Sequence, residues 1–282
     1  MAQTGWYRDG KELLAEIRNT DLPEGILALW YLGQAGIVVK DSRRIFGVDL
    51  YLDDADRRLL PRPFAPEEAG DLFDAVLCTH NHLDHLNLPT LQGIAGAGNR
   101  TRFVVPAPHA CVLSEAGIPA ERILPAEAWK KENLCGTKIL PVPASHEEFE
   151  YDAAGRYCCL GYVLRLNGAT LYHAGDTVEW ESMVRDLSPL GIDICCVPIN
   201  GSDWRRKHRD IIGNLNSREA ADIAEEIGAD LLIPLHFDMF AGNGDNPAHL
   251  ADYMFRDHPG RKYHIPVPGE RILYCKGATD TR

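Results

Sequence analysis

Ala75-Val76-Leu77-Cys78-Thr79-His80-Asn81-His82-Leu83-Asp84-His85 decides how this 282-residue chain is read. The apolar run from Ala75 to Thr79 has the composition of a buried strand. Directly after it, four metal-competent side chains, His80, His82, Asp84 and His85, fall within six residues in the pattern H-x-H-x-D-H. Packing alone does not call for that density. Imidazole nitrogens and a carboxylate suit zinc, manganese or iron, and the pattern by itself does not choose among them.

Three more donors stand in the same context. His146 follows Leu140-Pro141-Val142-Pro143-Ala144-Ser145, Asp176 follows Leu171-Tyr172-His173-Ala174-Gly175, and His236 follows Leu232-Ile233-Pro234-Leu235. Each lies at the end of a strand-like run or in the turn after it, where side chains from separate strands can meet at one rim of a sheet.

The segments between these donors alternate. A short amphipathic helix over Lys11–Asn19 precedes strands at Ile26–Leu32, Ile37–Lys40 and Arg44–Leu50. A first strand-and-helix series then runs through Ala75–Thr79, a helix near Pro89–Ala97, Arg102–Val105, a helix over Pro108–Ala116, and Thr137–Val142. A second series has strands at Cys158–Leu166, Ala169–His173, Ile192–Val197 and Leu231–Leu235, with a helix at Ser217–Ile227. Asn216 is the expected N-cap of that helix, with Glu219 three residues on to complete a capping box. Two such series predict two packed sheets with helices outside, a four-layer α/β/β/α sandwich. No linker rich in Pro, Gly or Ser divides the chain, so a single domain over residues 1–282 is expected.

Composition sets limits on partners. Acidic residues outnumber basic ones by 41 to 29 for a formal net charge of −12, which repels polyanions and disfavours nucleic acid. No run approaches the ~20 apolar residues of a membrane helix, and Met1–Gly10 lacks the basic start and apolar stretch of a secretory signal. A cytoplasmic protein that does not engage a membrane is expected. The eight cysteines include two adjacent pairs, Cys158-Cys159 and Cys195-Cys196, and no C-x-x-C, so free thiols are expected rather than disulfides or a zinc knuckle. His146-Glu147-Glu148-Phe149-Glu150 begins like H-E-x-x-H, but Glu150 stands where the second histidine is needed.

The order H-x-H-x-D-H, then a histidine, an aspartate and a last histidine resembles the metallo-β-lactamase-fold hydrolases. The resemblance implies that His80, His82 and His146 bind one metal ion, that Asp84, His85 and His236 bind a second, and that Asp176 bridges the two. It also implies that Asp49, after Ile45-Phe46-Gly47-Val48, orients a ligand imidazole; a turn-forming aspartate is the other reading of that position.

Further segments resemble the L-ascorbate-6-phosphate lactonase group: Trp30-Tyr31-Leu32-Gly33-Gln34-Ala35-Gly36, His173-Ala174-Gly175-Asp176-Thr177, Pro198-Ile199-Asn200-Gly201, Ile212-Gly213-Asn214-Leu215-Asn216 and Pro234-Leu235-His236-Phe237-Asp238-Met239-Phe240. This second resemblance implies a homo-oligomeric hydrolase with two divalent ions, Mn2+ or Zn2+. It would open the lactone ring of a small anionic sugar-acid phosphate by attack of water activated at the ions. Asp84 would also orient that water or carry its proton. A phosphate needs an anion site, and Arg205-Arg206-Lys207-His208-Arg209 is a dense basic run in an acidic chain. Arg205, Arg206 and Arg209, with Asn200, Asp203 and Trp204 beside them, are therefore the expected substrate-binding residues. A solvated charge run is the alternative for this stretch. At the level of function the alternative is a phosphodiesterase acting on a small cyclic nucleotide or similar diester.

Overall fold

Side chains that alternate along a strand divide between its two faces, and in this chain both faces of the central strands carry apolar residues. The computed structural model describes residues 5–54, 58–209 and 211–277. Among these, the strands are β1 (Ile26–Tyr31), β2 (Ile37–Lys40), β3 (Ile45–Val48), β4 (Ala75–Leu77), β5 (Arg102–Pro106), β6 (Ile123–Ala126), β7 (Glu132–Leu134), β8 (Thr137–Pro143), β9 (Leu160–Leu166), β10 (Ala169–His173), β11 (Ile194–Pro198), β12 (Leu231–Leu235), β13 (Lys262–Tyr263) and β14 (Arg271–Cys275). The α-helices are α1 (Gly10–Asn19), α2 (Pro66–Ala69), α3 (Leu88–Ala97), α4 (Ala110–Glu115), α5 (Met183–Leu187), α6 (Trp204–Lys207), α7 (Ser217–Glu226) and α8 (Ala248–Asp257).

The strands form two seven-stranded sheets, one ordered β14-β1-β2-β3-β4-β5-β6 and the other β13-β12-β11-β10-β9-β8-β7. From β3 to β6 and from β10 to β13 neighbouring strands are parallel. Parallel neighbours need crossover connections, and those crossovers carry helices onto the outer faces. Leu27, Leu29, Phe46, Leu77, Tyr162, Leu164, Leu171 and Ile233 fill the space between the sheets. On the outer side of the first sheet, Trp30, Val76 and Phe103 meet Leu13 and Ile17 of α1 and Leu91 and Ile94 of α3. On the outer side of the second, Tyr172, Cys195 and Leu232 meet Met183 of α5, Ile223 of α7 and Met254 of α8. The result is the four-layer sandwich.

The expected strands and helices appear with ends shifted by a residue or two, but the helix expected over Pro108–Ala116 is shorter. Ala107–His109 forms a 3-10 turn and α4 starts at Ala110. β14 is not anticipated from sequence, because it is an edge strand whose Arg271, Leu273 and Cys275 are exposed or partly so, leaving no run of buried positions to read. All eight cysteines are free, and Cys195 and Cys196 point to opposite faces of β11, into the outer and inner cores respectively. Among the described residues no helix is long and apolar enough to cross a membrane.

α7 carries the capping box anticipated from sequence. The Asn216 carboxamide accepts from the backbone N–H groups of Arg218 at 2.9 Å and Glu219 at 3.1 Å, and the Glu219 carboxylate accepts from Asn216 N–H at 2.9 Å. Asn216→Ala is expected to lower the unfolding free energy by about 1 kcal/mol and Asn216→Asp by less, as measured by urea denaturation. Equal stability of all three proteins would remove the cap as the reason this helix starts where it does.

Candidate metal centre

Five strand ends build one rim. Asp49 follows β3 and His80 to His85 follow β4. His146 comes just after β8, Asp176 just after β10 and His236 directly after β12. Past Thr79 the chain turns tightly, with the N–H groups of His85 and Leu86 both donating to the His82 carbonyl at 3.0 and 2.8 Å. That turn folds the six-residue motif back on itself. On the facing side, Gly175 has a φ of +64°, and a Cβ there would lie 2.7 Å from Thr79 Cβ. Glycine therefore lets the Asp176 turn press against the residue that precedes His80.

The structure brings all seven of the sequence-derived donors together. Three overlapping groups have ligand atoms within 4.8 Å of one another: His80, His82 and His146; His80, His85 and Asp176; and Asp84, His85 and His236. Asp176 stands between imidazoles from different strand ends, with Oδ1 at 3.3 Å from His85 Nε2 and Oδ2 at 3.2 Å from His236 Nε2 and 3.7 Å from His146 Nε2. Asp84 Oδ2 is 3.5 Å from His236 Nε2 and 3.6 Å from His85 Nε2.

Around His80 and His85 the hydrogen bonds leave the right atoms free for a cation. Asp49 is fully buried and accepts three hydrogen bonds: from Thr79 N–H at 2.8 Å, from Thr79 Oγ1–H at 2.7 Å and from His85 Nδ1–H at 2.7 Å. Of the two readings of Asp49, the contact with His85 is the one the geometry displays. Thr79 Oγ1, having donated to Asp49, lies 3.1 Å from His80 Nδ1 and can accept its proton. Both rings are thus held at Nδ1. Their Nε2 atoms, and Asp176 Oδ1, are buried with no hydrogen-bond partner among the described residues. An orphaned buried polar atom costs about 1–3 kcal/mol, and a cluster of nitrogen and carboxylate donors is the set a divalent ion satisfies. The residues present fit a metal ion.

Electrostatics divide the histidines. Burial pushes His80 well below its ordinary value, with His85 adding to the effect, and burial takes His146 down to about 4 although Asp176 pulls the other way. Burial also opposes the cation of His85, but the carboxylates of Asp176, Asp49 and Asp84 outweigh it and raise the ring well above its usual range. Burial would raise Asp84 and Asp176, yet His85 and His236 hold both carboxyls below theirs. At neutral pH the first pair of rings offers lone pairs. His85 carries a proton that an ion has to displace.

A cavity of about 210 Å³ opens on this centre, lined by His82, Asp84, His146, Asp176 and His236 together with Ile211, Ile212 and Asn243. Asn200, expected to bind substrate, is buried one layer back. Its Oδ1 accepts from Asn214 Nδ2 at 3.1 Å and its Nδ2 donates to Asn243 Oδ1 at 2.9 Å.

The basic run makes contacts of its own beside this cavity. Asp203, Trp204, Arg205, Arg206 and Arg209 are not among the described residues lining that cavity. Asp203 caps α6 by accepting from the N–H groups of Arg205 and Arg206. Arg206 spends its guanidinium on Asp203 Oδ2 at 2.6 Å and the Gly244 carbonyl at 2.7 Å, and Lys207 pairs with Glu147 at 3.3 Å. Trp204 is 75% exposed and stacks on His208, while Arg205 and Arg209 face outward. The run fastens neighbouring loops to one another around the cavity.

Gln34 is the residue that sequence reasoning quoted without giving it a role. It is fully buried at the centre, with Nε2 at 2.7 Å from Asp84 Oδ2 and 2.8 Å from His236 Nε2. The available signal was an amide between two glycines in an otherwise apolar run. His173, left without a ligand role, indeed packs elsewhere, its Nε2 2.8 Å from the Ala35 carbonyl.

Comparison with known proteins agrees with this architecture. Residues 47–237 match the model of a beta-lactamase superfamily domain. A UPF0173 metal-dependent hydrolase of Methanoculleus marisnigri is 31% identical over 193 residues, spanning 65% of this chain and 75% of its own. One from Thermococcus kodakarensis is 26% identical over 246 residues, spanning 86% and 97%. Among solved structures, Igni18, a metallo hydrolase from Ignicoccus hospitalis, aligns with a TM-score of 0.69 at 18% identity over 89% of this chain and 100% of its own, a likeness of fold. With its seven donors gathered at one rim of the sandwich, the chain belongs to the beta-lactamase superfamily, and within it to the UPF0173 metal-dependent hydrolases.

Proposed function

We propose that the chain hydrolyses a small ester, lactones foremost, at a centre holding two divalent ions, zinc or manganese. The observation that carries this reading is the juxtaposition of the three donor groups with a small, partly apolar cavity that opens directly onto them. His80, His82 and His146 are assigned to one ion and Asp84, His85 and His236 to the other, with Asp176 between them because its two oxygens face different imidazoles. When bound, two such ions lower the pKa of a water and polarise an electrophile. Asp84, ionised and at the cavity wall, orients the attacking water and takes its proton. The Asn243 side-chain amide, its oxygen held by Asn200 at the cavity wall, would donate to the substrate carbonyl oxygen, where negative charge develops. Ile211 and Ile212 supply the apolar side of the site.

The dimensions favour a single small ring over a polymer. No lysine or arginine is among the described residues lining the cavity, which supports an uncharged lactone or ester over the phosphorylated sugar acid suggested by sequence. A panel of γ- and δ-lactones, aryl esters, sugar-acid lactone phosphates and cyclic phosphodiesters separates these classes. Lactone or ester turnover is expected, abolished by chelation and restored by zinc or manganese. Turnover of the cyclic diesters alone would replace this reading with a phosphodiesterase.

Two further outcomes follow from the ligand assignment. Asp49→Asn keeps the shape but removes the charge that His85 leans on, and should weaken metal binding by about 10- to 100-fold in competition with a chromophoric chelator; unchanged affinity would leave Asp49 with a purely local role. Because neighbouring carboxylates raise His85 and take His236 up to about 9, while burial lowers His80 and His146, loading should release protons at neutral pH. Both rings are raised, so the release is present at neutral pH and fades as pH climbs through their pKa values. Calorimetric titrations in buffers of different ionisation enthalpy measure it, and a buffer-independent heat at pH 7 would contradict the assignment of His85 and His236.

A further inference from the structure

Asp49 fixes His85, but it does not reach Asp84 or His236, the other two members of that donor group. We propose that Gln34 is the positioning residue for this pair, its amide lying between Asp84 and His236 and setting their separation. The role rests on the assignment of Asp84, His85 and His236 to the second ion.

Gln34 is itself fixed from several sides. Its backbone N–H donates to Asp238 Oδ1 at 2.9 Å, and its carbonyl accepts from the backbone N–H of His236 at 2.6 Å. Tyr31 Oη–H donates to the same Asp238 oxygen at 2.9 Å, and a turn from Gly36 N–H to the Gly33 carbonyl, 2.9 Å, closes the loop. Both Gln34 and His236 have left-handed backbones, φ of 58° and 61°. Residues with a Cβ keep such conformations only where the surroundings over-determine them, and they gather at functional sites. Two loops about 200 positions apart in sequence are thus clasped so that one amide lies between a carboxylate and an imidazole.

The orientation of that amide follows from its neighbour. An ionised carboxylate only accepts, so the end of Gln34 that lies 2.7 Å from Asp84 Oδ2 is the NH2 group, which has two hydrogens to offer. One is committed to Asp84 and the other faces the His236 ring, whose Nε2 and Nδ1 lie at 2.8 and 3.3 Å. Among the described residues the buried amide oxygen has no partner, a condition native proteins rarely tolerate away from sites under functional constraint. A glutamine that served packing alone would not need its nitrogen against the donor group and its oxygen unpaired.

Titration of the stripped full-length chain with cobalt(II), followed by visible absorption, tests the role through coordination rather than turnover. In wild type two cobalt ions are expected to bind. In Gln34→Leu and Gln34→Glu, which remove the NH2 donor, affinity for the second cobalt should fall by about 10- to 100-fold with its absorption bands shifted, while the first binds as before. If Gln34→Leu does not fold, the nearly isosteric Gln34→Glu carries the same comparison. Retained or tighter second-ion binding in Gln34→Glu would mean that position 34 acts through an oxygen, as a ligand, and would overturn the proposal. So would equal losses at both ions, which mark a general disruption. Two cobalt ions in wild type with both variants unchanged would remove only the role of Gln34. A single cobalt in wild type would remove the ligand assignment beneath it.

Discussion

Three buried polar atoms, His80 Nε2, His85 Nε2 and Asp176 Oδ1, face one centre without a hydrogen bond among them, and the rim is built to keep them there. His85 Nε2 and Asp176 Oδ1 lie 3.3 Å apart as an ion pair, so the cost of an orphaned polar atom, about 1–3 kcal/mol, falls chiefly on His80 Nε2. Binding that favours the folded state returns that free energy. The supports are correspondingly rigid: Thr79 and Asp49 lock two rings at Nδ1, and positive-φ backbones at Asp49, Gln34 and His236 aim their side chains inward. Relaxing any of these would let the orphaned atoms find ordinary partners and would close the site.

The sandwich explains why such a concentration of donors can exist at all. β4, β10 and β12 are central strands, buried on both faces, and their main chains are fixed by pairing on either side. Residues one step beyond their ends inherit that fixed position without being covered by the core. His146 arrives by a different route, from β8 in the antiparallel part of the second sheet. A metal-binding set assembled from four strand ends thus owes its precision to hydrophobic burial far from the polar atoms themselves.

Much of this was legible in the sequence because its signals are local or repeated. The apolar run Ile26–Leu32 reads as a strand, the His80–His85 motif lies within one turn, and His146, Asp176 and His236 share the context of an apolar run that stops. Gln34 and Asn243 were not legible, since each acquires its role from a loop remote in sequence, Gln34 from Asp84 and His236, Asn243 from Asn200. The contacts of the basic run were hidden for a related reason. Charge density records that cations are present, but not that Arg206 is spent on Asp203 and a carbonyl, or Lys207 on Glu147. Asp49 stood between two readings until His85 was found 2.7 Å away.

The same contacts separate the chemistry from the choice of substrate. The donor rim hangs on strand ends, whereas Ile211, Ile212 and Asn243 come from loops held mostly to each other, through Asn200 to Asn243 and Arg206 to Gly244. Loops fastened in that way can change length and lining without moving a ligand, because the anchor residues return the chain to the same strand ends. Gln34 is the exception, since its loop grips the His236 segment from the rim side. A change there reaches the donor set directly, while a change at Ile211 or Ile212 reaches only what is admitted to it. Relatives of this fold should therefore keep the rim and vary the wall, and the substrate of this chain is written in the residues of those two loops rather than in its histidines.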